Sequence, residues 1–592
     1  MRNSIGAFKV SVRRTLKAFR NDCLGSITHI SAVAAIPMFL CAGAAIDTIR
    51  INREQVAFDA AVDSAALAVA ADDRASLSGL SEAQVTARIA ELEAFAKKYM
   101  AENYTPQYGS SQEMDVNIEI TGAAIDLEAS HTFPTTIMSL TGIDEINLTS
   151  HSQIMKAMRP IELVMVMDTT GSMSTDNKIE GAKTAARNLL STIYGGSASA
   201  VPESEYLRVA LVPFAAGVRL NPNAYDFKLG WIDTTGVNPI SKLNFNSTPL
   251  PPATWNNYTA WAKLKKTATA YQAWNGCVET RMRGTAAAGT DYNVNDVAPT
   301  TGAPATMFPA YFAPDTPSFG SSGTYGSFKN QAWNGSYIAE DGSTPNEITG
   351  VSAANAKLTT DAAILQYRQE NYQKYDGRNI GSESLTSATV GPWSGCAKSS
   401  VVPMTYKRAN VEAGITAMAA AGPTLIAEGL SWGWRAISPT EPFTKVEGSA
   451  SFPADTISTY NHPRWIKIMV LMTDGDNDLS PGTDTLNGTV YSAYGRGTEP
   501  VAYNRFGSIS SSNKETELDT AMTTACNKVK AAGIELYVTS FGSGVSTATK
   551  NKLQACATDA DNYQHNTSSA DLAAFFNHIG QDVLNKAIYV SK

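Results

Sequence analysis

Two aspartates and three hydroxyl side chains stand where apolar stretches of the sequence give way to polar ones. The run IELVMVMD ends on Asp168, and Thr170 and Ser172 follow it. The run KIMVLMTDG carries Asp474 near its end, and Thr424 follows a Gly-Pro pair in AAGPTLIAEGL. Carboxylate and hydroxyl oxygens are hard donors that suit Mg²⁺, Ca²⁺ or Mn²⁺ and do not suit zinc or copper. The pattern predicts a divalent cation site, with Mg²⁺ as the expected ion.

Such a site would leave part of the coordination sphere of the metal free. Mg²⁺ demands near-octahedral geometry and keeps several waters, so an open position remains for a ligand from outside the chain. An acidic side chain of a protein partner could fill that position. Asp476 and Asp478 lie nearby in TDGDND, and we interpret them as part of a solvated loop.

The elements that must position these residues indicate an α/β domain. Four short apolar runs, IELVMVMD, LRVALVPFA, WIKIMVLMTDG and GIELYVTSFG, are separated by stretches that include amphipathic helices such as NKIEGAKTAARNLLSTIY. Apolar strands that alternate with helices predict a doubly wound, mostly parallel sheet covered on both faces. Ligands bind such sheets beyond the carboxyl ends of the strands, where the strand order reverses. We therefore expect the oxygen donors to meet at that edge.

A long insertion interrupts this pattern between about residues 220 and 403. The segment is rich in Gly, Pro, Asn, Thr and aromatic residues. Structureless loops of this length are uncommon in a compact core, so we predict an ordered, irregular insertion. Its aromatic residues could form a glycan-binding or protein-binding surface, but a small satellite core is the default interpretation. The tryptophans concerned include Trp255, Trp261, Trp274, Trp333 and Trp393.

The N-terminal end of the chain predicts a membrane anchor. Residues 1–22 form a basic arm, and residues 23–46 contain no Asp, Glu, Lys or Arg. These 24 residues exceed the roughly 20 needed to cross a bilayer core. The basic arm places the N-terminus in the cytoplasm and the rest of the chain outside it. A cleaved signal sequence, with a cleavage site at residues 42–44, is the alternative.

Residues 47–157 predict a small α+β region next to the membrane. Helical spacing continues through RINREQVAFDAAVDSAALAVAADD, and a second helix is expected in SEAQVTARIAELEAFAKKYMAENY. MDVNIEITGAAIDLEASHTFPTT alternates apolar and polar residues around a glycine, which is typical of a β-hairpin. INLTSHSQI indicates a further strand.

The cysteines indicate an oxidising compartment, and the net charge and the motifs argue against some classes of partner. Four of the six cysteines lie in the exported part, and of their three possible pairings we favour Cys526 with Cys556 and Cys277 with Cys396. The net charge of −8 makes nucleic acid an unfavourable partner. The sequence has no G-x-x-x-x-G-K-[ST] motif, which argues against nucleotide binding.

One motif points to an enzyme. The stretch GLSWG at 429–433 matches the G-x-S-x-G pattern of serine hydrolases, which requires a strand, a sharp turn and a helix. Here the motif falls inside a predicted helix. We therefore interpret Ser431 as an ordinary helical residue.

The cation-site residues resemble those of von Willebrand factor A domains. D-T-T-G-S resembles the first signature of that family, and the Thr of G-P-T and the Asp of T-D-G resemble its second and third segments. The resemblance implies a von Willebrand A fold over residues 158–592 and a metal-ion-dependent adhesion site (MIDAS). In such sites the hydroxyls bind the metal directly and the aspartates hold it largely through waters. The implied ligands are Asp168, Thr170, Ser172, Thr424 and Asp474.

Other stretches resemble TadG-type (TadE/TadG-like) proteins of the bacterial tight-adherence, or Flp pilus, assembly system. The resemblance is carried by DTIRI, DAAVDSAALAVAA, TFPTTIMSLTGID, WNGCVETR, YFAPD, LSWGWRAISPTEPF and YSAYG. It implies a single-pass inner-membrane protein with a cytoplasmic N-terminus, a periplasmic body and other pilus assembly components as partners. TadE-like relatives can carry a processing signal with Glu five residues after a glycine, but Ile30 stands five residues after Gly25. Cleavage by a prepilin peptidase is therefore not expected.

Three functions remain open from the sequence. The leading hypothesis is a non-enzymatic, membrane-anchored protein that binds a partner through the cation during pilus assembly or adhesion. A structural scaffold of the pilus secretion machine, in which the metal only steadies three loops, is the alternative. A metal-assisted hydrolase is a remote third possibility, because no general base is identifiable.

Overall fold

The computed structural model divides the chain into two units, Met1–Ala157 with Ile588–Lys592, and Met158–Ala587. The basic arm, the first residues of the predicted span, Cys23 and Trp333 lie outside the described residues. The structure describes residues 26–75, 82–107, 113–121, 124–155, 157–246, 250–267, 269–282, 292–315, 337–338, 361–378, 380, 391–480, 487–497, 505–506 and 514–589.

The first unit combines two helices with an antiparallel sheet. Helix α1 covers Ser26–Ala70, α2 covers Glu82–Asn103, and a 3-10 turn lies at Asp73–Ala75. The three strands, in spatial order, are β1 (Met114–Thr121), β2 (Ala124–Pro134) and β3 (Glu145–Met155). The predicted helices, hairpin and third strand are all present. Apolar residues at helical spacing on α1, such as Phe58, Val62 and Val69, pack in one core with α2 and the sheet.

Helix α1 continues without a break from the predicted span into this core. It is 45 residues long, and its segment Ser31–Ala70 is long and apolar enough to cross a membrane. Several large apolar side chains of its N-terminal half are exposed, including Val33, Met38 and Phe39. Helix α1 thus exposes apolar residues in its N-terminal half and buries an apolar stripe in its C-terminal half. This pattern is expected of a helix whose first half contacts lipid and whose second half packs in a protein core.

The second unit is built on a six-stranded sheet. Its strands in chain order are β4 (Ile161–Asp168), β5 (Leu207–Phe214), β6 (Val402–Thr405), β7 (Ile466–Thr473), β8 (Glu535–Phe541) and β9 (Tyr563–Asn566). The spatial order is β6-β5-β4-β7-β8-β9. Neighbouring strands are parallel except at the edge, where β6 runs antiparallel to β5. This is the doubly wound order 3-2-1-4-5-6, so the predicted fold class is confirmed.

Helices cover both faces of the sheet. They are α3 (Lys178–Tyr194), α4 (Arg408–Ala417), α5 (Ile426–Ile437), α6 (Lys514–Ala531), α7 (Thr547–Cys556) and α8 (Ser569–Ala587). Alternate residues of β4 enter opposite cores: Val164 and Val166 pack with α5, α6 and α7, whereas Leu163 and Met165 pack with α3, α4 and α8. All eight residues of β4 are buried, which explains why the strand is uninterruptedly apolar from Leu163 to Met167.

The described parts of the insertion between β5 and β6 are ordered and irregular. They contain two helices, Asn257–Trp261 and Asp361–Glu370. Two-residue strands pair as Val218–Arg219 with Cys277–Val278 and as Ile232–Asp233 with Phe308–Pro309, and Lys445–Val446 pairs with Asp455–Thr456 beyond β6. The 3-10 turns of this unit are Gly171–Asn177, Leu229–Trp231, Pro239–Lys242, Pro304–Thr306, Tyr372–Lys374 and Ala560–Asn562.

An aromatic cluster forms a separate core within the insertion. Trp255, Trp261 and Trp393 are buried there, and Trp274 packs against it. The satellite-core interpretation is thus confirmed for these four residues. The disulfide Cys277–Cys396 lies in the same cluster, and Cys526–Cys556 joins α6 to α7. Both favoured disulfide pairings are therefore confirmed.

Helix α5 lies against the centre of the sheet and carries the G-x-S-x-G stretch. Ser431 is buried, and its Oγ donates a hydrogen bond of 2.7 Å to the Ala427 carbonyl within the helix. A Cβ atom on Gly429 would lie 2.6 Å from the ring of Phe214, and one on Gly433 would lie 2.4 Å from Val166 Cγ2. The two glycines allow α5 to approach the sheet closely, and Ser431 is an ordinary helical residue as predicted.

We predict that Gly433→Ala destabilises the second unit even though alanine is the better helix former. The added methyl group would meet Val166 and force α5 away from β4, at a cost of about 1–3 kcal/mol. Thermal unfolding of the full chain measures the effect. Ser431→Ala, on the same helix, is the control and should change stability by less. Equal stability of Gly433→Ala and the wild type would contradict the close packing of α5.

Candidate cation site

The candidate site lies at the carboxyl ends of β4 and β7, the two strands between which the strand order reverses. Asp168 is the last residue of β4, and Asp474 follows β7 directly. The strands are parallel neighbours in register, with Met167 opposite Met472. The two carboxylates are therefore fixed beside each other by the sheet itself, at the place where doubly wound sheets bind ligands.

Three loops meet at this edge and are joined by backbone hydrogen bonds. The Gly171 N–H donates to the Gly422 carbonyl at 2.7 Å, and the Ala421 N–H donates to the Thr169 carbonyl at 2.8 Å. The Asp478 N–H donates to the Thr424 carbonyl at 3.1 Å. The loops after β4, before α5 and after β7 thus form one continuous surface.

Gly422 makes this junction possible. Its φ of +83° lies in the left-handed region, and a Cβ atom would lie 2.8 Å from the Gly395 carbonyl oxygen. A residue with a side chain would be strained in that conformation and would also meet the neighbouring backbone. The glycine of the Gly-Pro-Thr segment is thus required by the geometry of the loop.

The oxygen atoms of the predicted ligands converge. Ser172 Oγ donates to Asp474 Oδ1 at 2.7 Å, Thr170 Oγ1 lies 3.0 Å from Ser172 Oγ, and Thr170 Oγ1 lies 3.5 Å from Asp474 Oδ1. Thr424 Oγ1 lies near the same oxygens, since a Cβ atom on Gly475 would lie 3.6 Å from Thr424 Oγ1 and 3.8 Å from Ser172 Oγ. Ser172 is exposed and the other four are buried, so the site opens to solvent beside Ser172.

Asp168 is fully buried beneath the other site residues' loops and is held by three hydrogen bonds. Its Oδ1 accepts a hydrogen bond of 2.8 Å from the Thr170 N–H, and its Oδ2 accepts bonds from Thr473 Oγ1 at 2.7 Å and the Asp474 N–H at 3.4 Å. Burial, together with the negative charge of Asp474, raises the pKa of Asp168 above its ordinary value, although the bonds from Thr170 and Thr473 oppose that shift. The positive charge of a bound cation would relieve this unfavourable burial.

Lys178 is a site residue that the sequence did not reveal. Its Nζ donates a short hydrogen bond to Asp474 Oδ2, and both side chains are nearly inaccessible to solvent. Gly542 leaves room for the lysine, because a Cβ atom there would lie 3.2 Å from Lys178 Cδ. One signal was present in the sequence: Lys178 is the first residue of α3, where the helix dipole disfavours a cation unless an anion accompanies it.

Neither Asp168 nor Thr424 is a helix cap, which is a common role for Asp and Thr next to a helix. Helix α3 begins at Lys178, far from Asp168, so Asp168 is not a helix cap. Helix α5 begins at Ile426 without a side-chain cap, so Thr424 does not cap it either. Asp476 and Asp478 each accept a loop N–H, from Ser546 at 2.9 Å and Ser480 at 2.8 Å respectively. The loop interpretation of these two aspartates agrees with those contacts.

The donor set fits a hard cation, but its carboxylates are too few to hold the ion without hydroxyl groups and water. When both aspartates are ionised, the single ammonium group of Lys178 balances only one of them, and a bound cation would balance the other. Among the described residues, no group of three or more His, Cys, Asp or Glu side chains could hold a metal ion. A cation here would depend on the hydroxyls of Thr170, Ser172 and Thr424 and on water, in addition to the two aspartates. Mg²⁺ accepts such oxygen ligands and retains waters.

Comparison with known proteins yields one family match. Residues 25–72 match a family model described as "Putative Flp pilus-assembly TadE/G-like". No curated protein matches the chain.

Several solved structures share a weak likeness. The pilus adhesin SpaC from Lactobacillus rhamnosus GG is 11% identical, with a TM-score of 0.30 over 80% of this chain and 34% of SpaC. The vWF domain of the type V pili tip protein Mfa5 from Porphyromonas gingivalis is 10% identical, with a TM-score of 0.29 over 74% of this chain and 98% of that domain. Proximal thread matrix protein 1 from the mussel byssus is 11% identical, with a TM-score of 0.24 over 72% of this chain and 48% of that protein.

The chain thus spans about a third of the length of SpaC. At these TM-scores the likenesses carry no argument about this chain, and its fold is established by its own strand order. The family match lies on helix α1, the apolar helix of the first unit. Residues 25–72 are therefore similar to the TadE/G-like family of putative Flp pilus-assembly proteins.

Proposed function

We propose that this protein is a non-enzymatic component of Flp pilus assembly or surface adhesion that binds a protein partner through a divalent cation. One observation carries the proposal: two buried carboxylates and three hydroxyl groups from three loops converge at the switch point of an α/β sheet. The TadE/G-like match at residues 25–72 supports the pilus context.

The proposed location is the bacterial inner membrane. Helix α1 would cross it once, with the N-terminus in the cytoplasm and the body of the protein in the periplasm. The length and composition of α1 support the span, and the basic arm of residues 1–22 supports this orientation. Two disulfides in the body of the protein suit an oxidising compartment outside the cytoplasm.

In the proposed site, the hydroxyls of Thr170, Ser172 and Thr424 would hold the cation, and Asp168 and Asp474 would neutralise it directly or through water. Mg²⁺ is the proposed ion, with Ca²⁺ or Mn²⁺ as alternatives. When bound, the cation would supply a Lewis-acidic position that an acidic side chain of the partner can ligate. Exposed Ser172 lies where the site opens to solvent, which is the side from which a partner could reach it.

Lys178 gives the site a stable cation-free form. Its ammonium group neutralises Asp474 and holds α3 against the loop after β7. A divalent cation at the same carboxylate would be repelled by Lys178, so the lysine is expected to weaken cation affinity. We propose that Lys178 stabilises the loops until cation and partner bind together.

The contacts of Asp168 favour a binding role over hydrolysis. A general base needs a free oxygen within reach of the water it activates. Asp168 is buried, and both of its oxygens accept hydrogen bonds from Thr170, Thr473 or Asp474. In the scaffold alternative the same residues bind the cation, but the cation only stabilises the three loops. The two hypotheses therefore differ in whether partner binding requires the cation.

We predict that Thr424→Val weakens the binding of Mn²⁺, used as a probe ion, by about tenfold or more, equivalent to about 1.4 kcal/mol. Valine keeps the shape of threonine and removes one ligand oxygen. Calorimetric titration of the full chain in detergent measures the affinity. Thr520→Val is the control, because Thr520 is an exposed residue of α6 away from the site. Unchanged Mn²⁺ affinity in Thr424→Val would contradict the proposed ligand set.

A partner-capture experiment distinguishes the binding hypothesis from the scaffold alternative. The full chain is used to capture other pilus assembly components from solubilised membranes, once with Mg²⁺ and once with EDTA. We predict that EDTA releases a partner and that Asp168→Ala fails to retain the same partner. Capture that is unaffected by EDTA, together with a lower melting temperature, would favour the scaffold alternative.

We predict that Lys178→Met destabilises the protein in EDTA by about 3–5 kcal/mol, because it leaves the buried Asp474 carboxylate without its counter-charge. The same variant should gain more thermal stability from added Mg²⁺ than the wild type does. Lys183→Met is the matched control on α3, since Lys183 pairs with the exposed Glu180 and such pairs contribute only about 0–1 kcal/mol. Equal behaviour of the two variants would show that the Lys178 pair is unimportant.

A further inference from the structure

The loop between β2 and β3, residues 135–143, is attached to helix α1 near the end of the predicted span. Asp47 Oδ2 accepts hydrogen bonds from the N–H groups of Thr136, Ile137 and Met138 at 3.2, 2.6 and 2.8 Å. Arg50 pairs with Asp47 Oδ1 at 3.1 Å and also donates to Thr136 Oγ1. The buried Asp47 carboxylate thus attaches the start of this loop to helix α1, and we call these contacts the Asp47 clamp.

The contact extends into the apolar segment itself. Gly43 lies one helical turn before Asp47 and inside residues 23–46. A Cβ atom on Gly43 would lie 2.1 Å from Ile137 Cγ2, so the loop touches the helix at this level. A bilayer that surrounds residues 23–46 would therefore meet the loop as well.

The loop exposes large apolar side chains beside two threonines. Residues 135–143, TTIMSLTGI, contain no charged residue. Leu140 is 76% exposed and Ile143 is 46% exposed. Ile46 and Ile49 on α1 are exposed as well, so apolar surface continues from the loop onto the helix. Such a surface next to a span is suited to lipid contact.

The polar groups of the loop are largely satisfied within it. Ser139 Oγ donates to the Thr136 carbonyl at 2.9 Å, and Thr141 Oγ1 donates to the Met138 carbonyl at 2.6 Å. Thr135 Oγ1 donates to the Ile143 carbonyl and thereby closes the loop. Internal hydrogen bonds lower the cost of moving a segment out of water, as a membrane surface requires.

We propose that residues 135–143 form a membrane-contact loop that inserts Leu140 and Ile143 into the interfacial region of the bilayer beside α1. The inference rests on the membrane anchoring proposed above. The occupant of this surface is lipid, because the surface is continuous with the span and residues 135–143 carry no charge. The exposed Asp144 and Glu145, which follow the loop, would then lie toward the headgroups and water. The loop and the Asp47 clamp would together fix how deeply α1 sits in the membrane.

Site-directed nitroxide labels on the full chain test this inference. Cys23 and Cys41 are first replaced by alanine, and single cysteines are introduced as Leu140→Cys, Phe39→Cys and Val56→Cys. The protein is reconstituted in vesicles of phosphatidylethanolamine and phosphatidylglycerol. Accessibility is measured to oxygen, which concentrates in lipid, and to a water-soluble nickel chelate. Phe39 and Val56 are both exposed on α1, the first inside the apolar segment and the second beyond it, so they are matched controls.

We expect the label at position 140 to resemble the label at position 39, with an oxygen-to-nickel accessibility ratio several-fold above that at position 56. A label at position 140 that resembles the one at position 56, with position 39 in lipid, would overturn the loop inference and leave the anchor intact. Protection of position 140 from both reagents would also overturn it, because protein and not lipid would then cover the loop. A nickel-accessible label at position 39 would overturn the anchor itself.

Discussion

The close approach of two buried carboxylates at the ends of neighbouring parallel strands is the constraint on which the second unit depends. Asp168 and Asp474 are fixed there by the register of β4 and β7, and burial together with the charge of Asp474 raises the pKa of Asp168. The surrounding loops supply neutral donors to Asp168 and one ammonium group to Asp474. A proton or a bound cation would relieve the unfavourable burial of the Asp168 charge, and the cation is the group that we propose.

The first unit uses a carboxylate in the opposite way. Asp47 is buried as well, but three backbone N–H groups and Arg50 satisfy it completely, so that it joins a loop to a helix. Asp474 accepts from the hydroxyls of Thr170 and Ser172 and from the Lys178 ammonium group, and the exposed Ser172 lies where the site opens to solvent. Asp168 accepts only from uncharged donors. Asp47 therefore has a structural role, whereas Asp168 and Asp474 share one ammonium group at a sheet edge where ligands bind.

The central strands were predictable because burial on both faces makes them continuous apolar runs, as in IELVMVMD. The edge strands Val402–Thr405 and Tyr563–Asn566 were missed because they are short and partly polar, and their pairing is set by distant residues. The convergence of the predicted site residues followed from the rule for strand ends, while the cation itself remains a prediction. The role of Lys178 could not be predicted from the sequence because its partner, Asp474, lies 296 residues away.

The binding of a cation at the convergence of Thr170, Ser172, Thr424 and the two aspartates is the central claim. The most direct test is an anomalous diffraction map from crystals of the protein grown with Mn²⁺. We predict an anomalous peak among these oxygen atoms, with water or an acidic group completing its coordination. A map without a peak there at saturating Mn²⁺, with Lys178 still paired to Asp474, would contradict the claim.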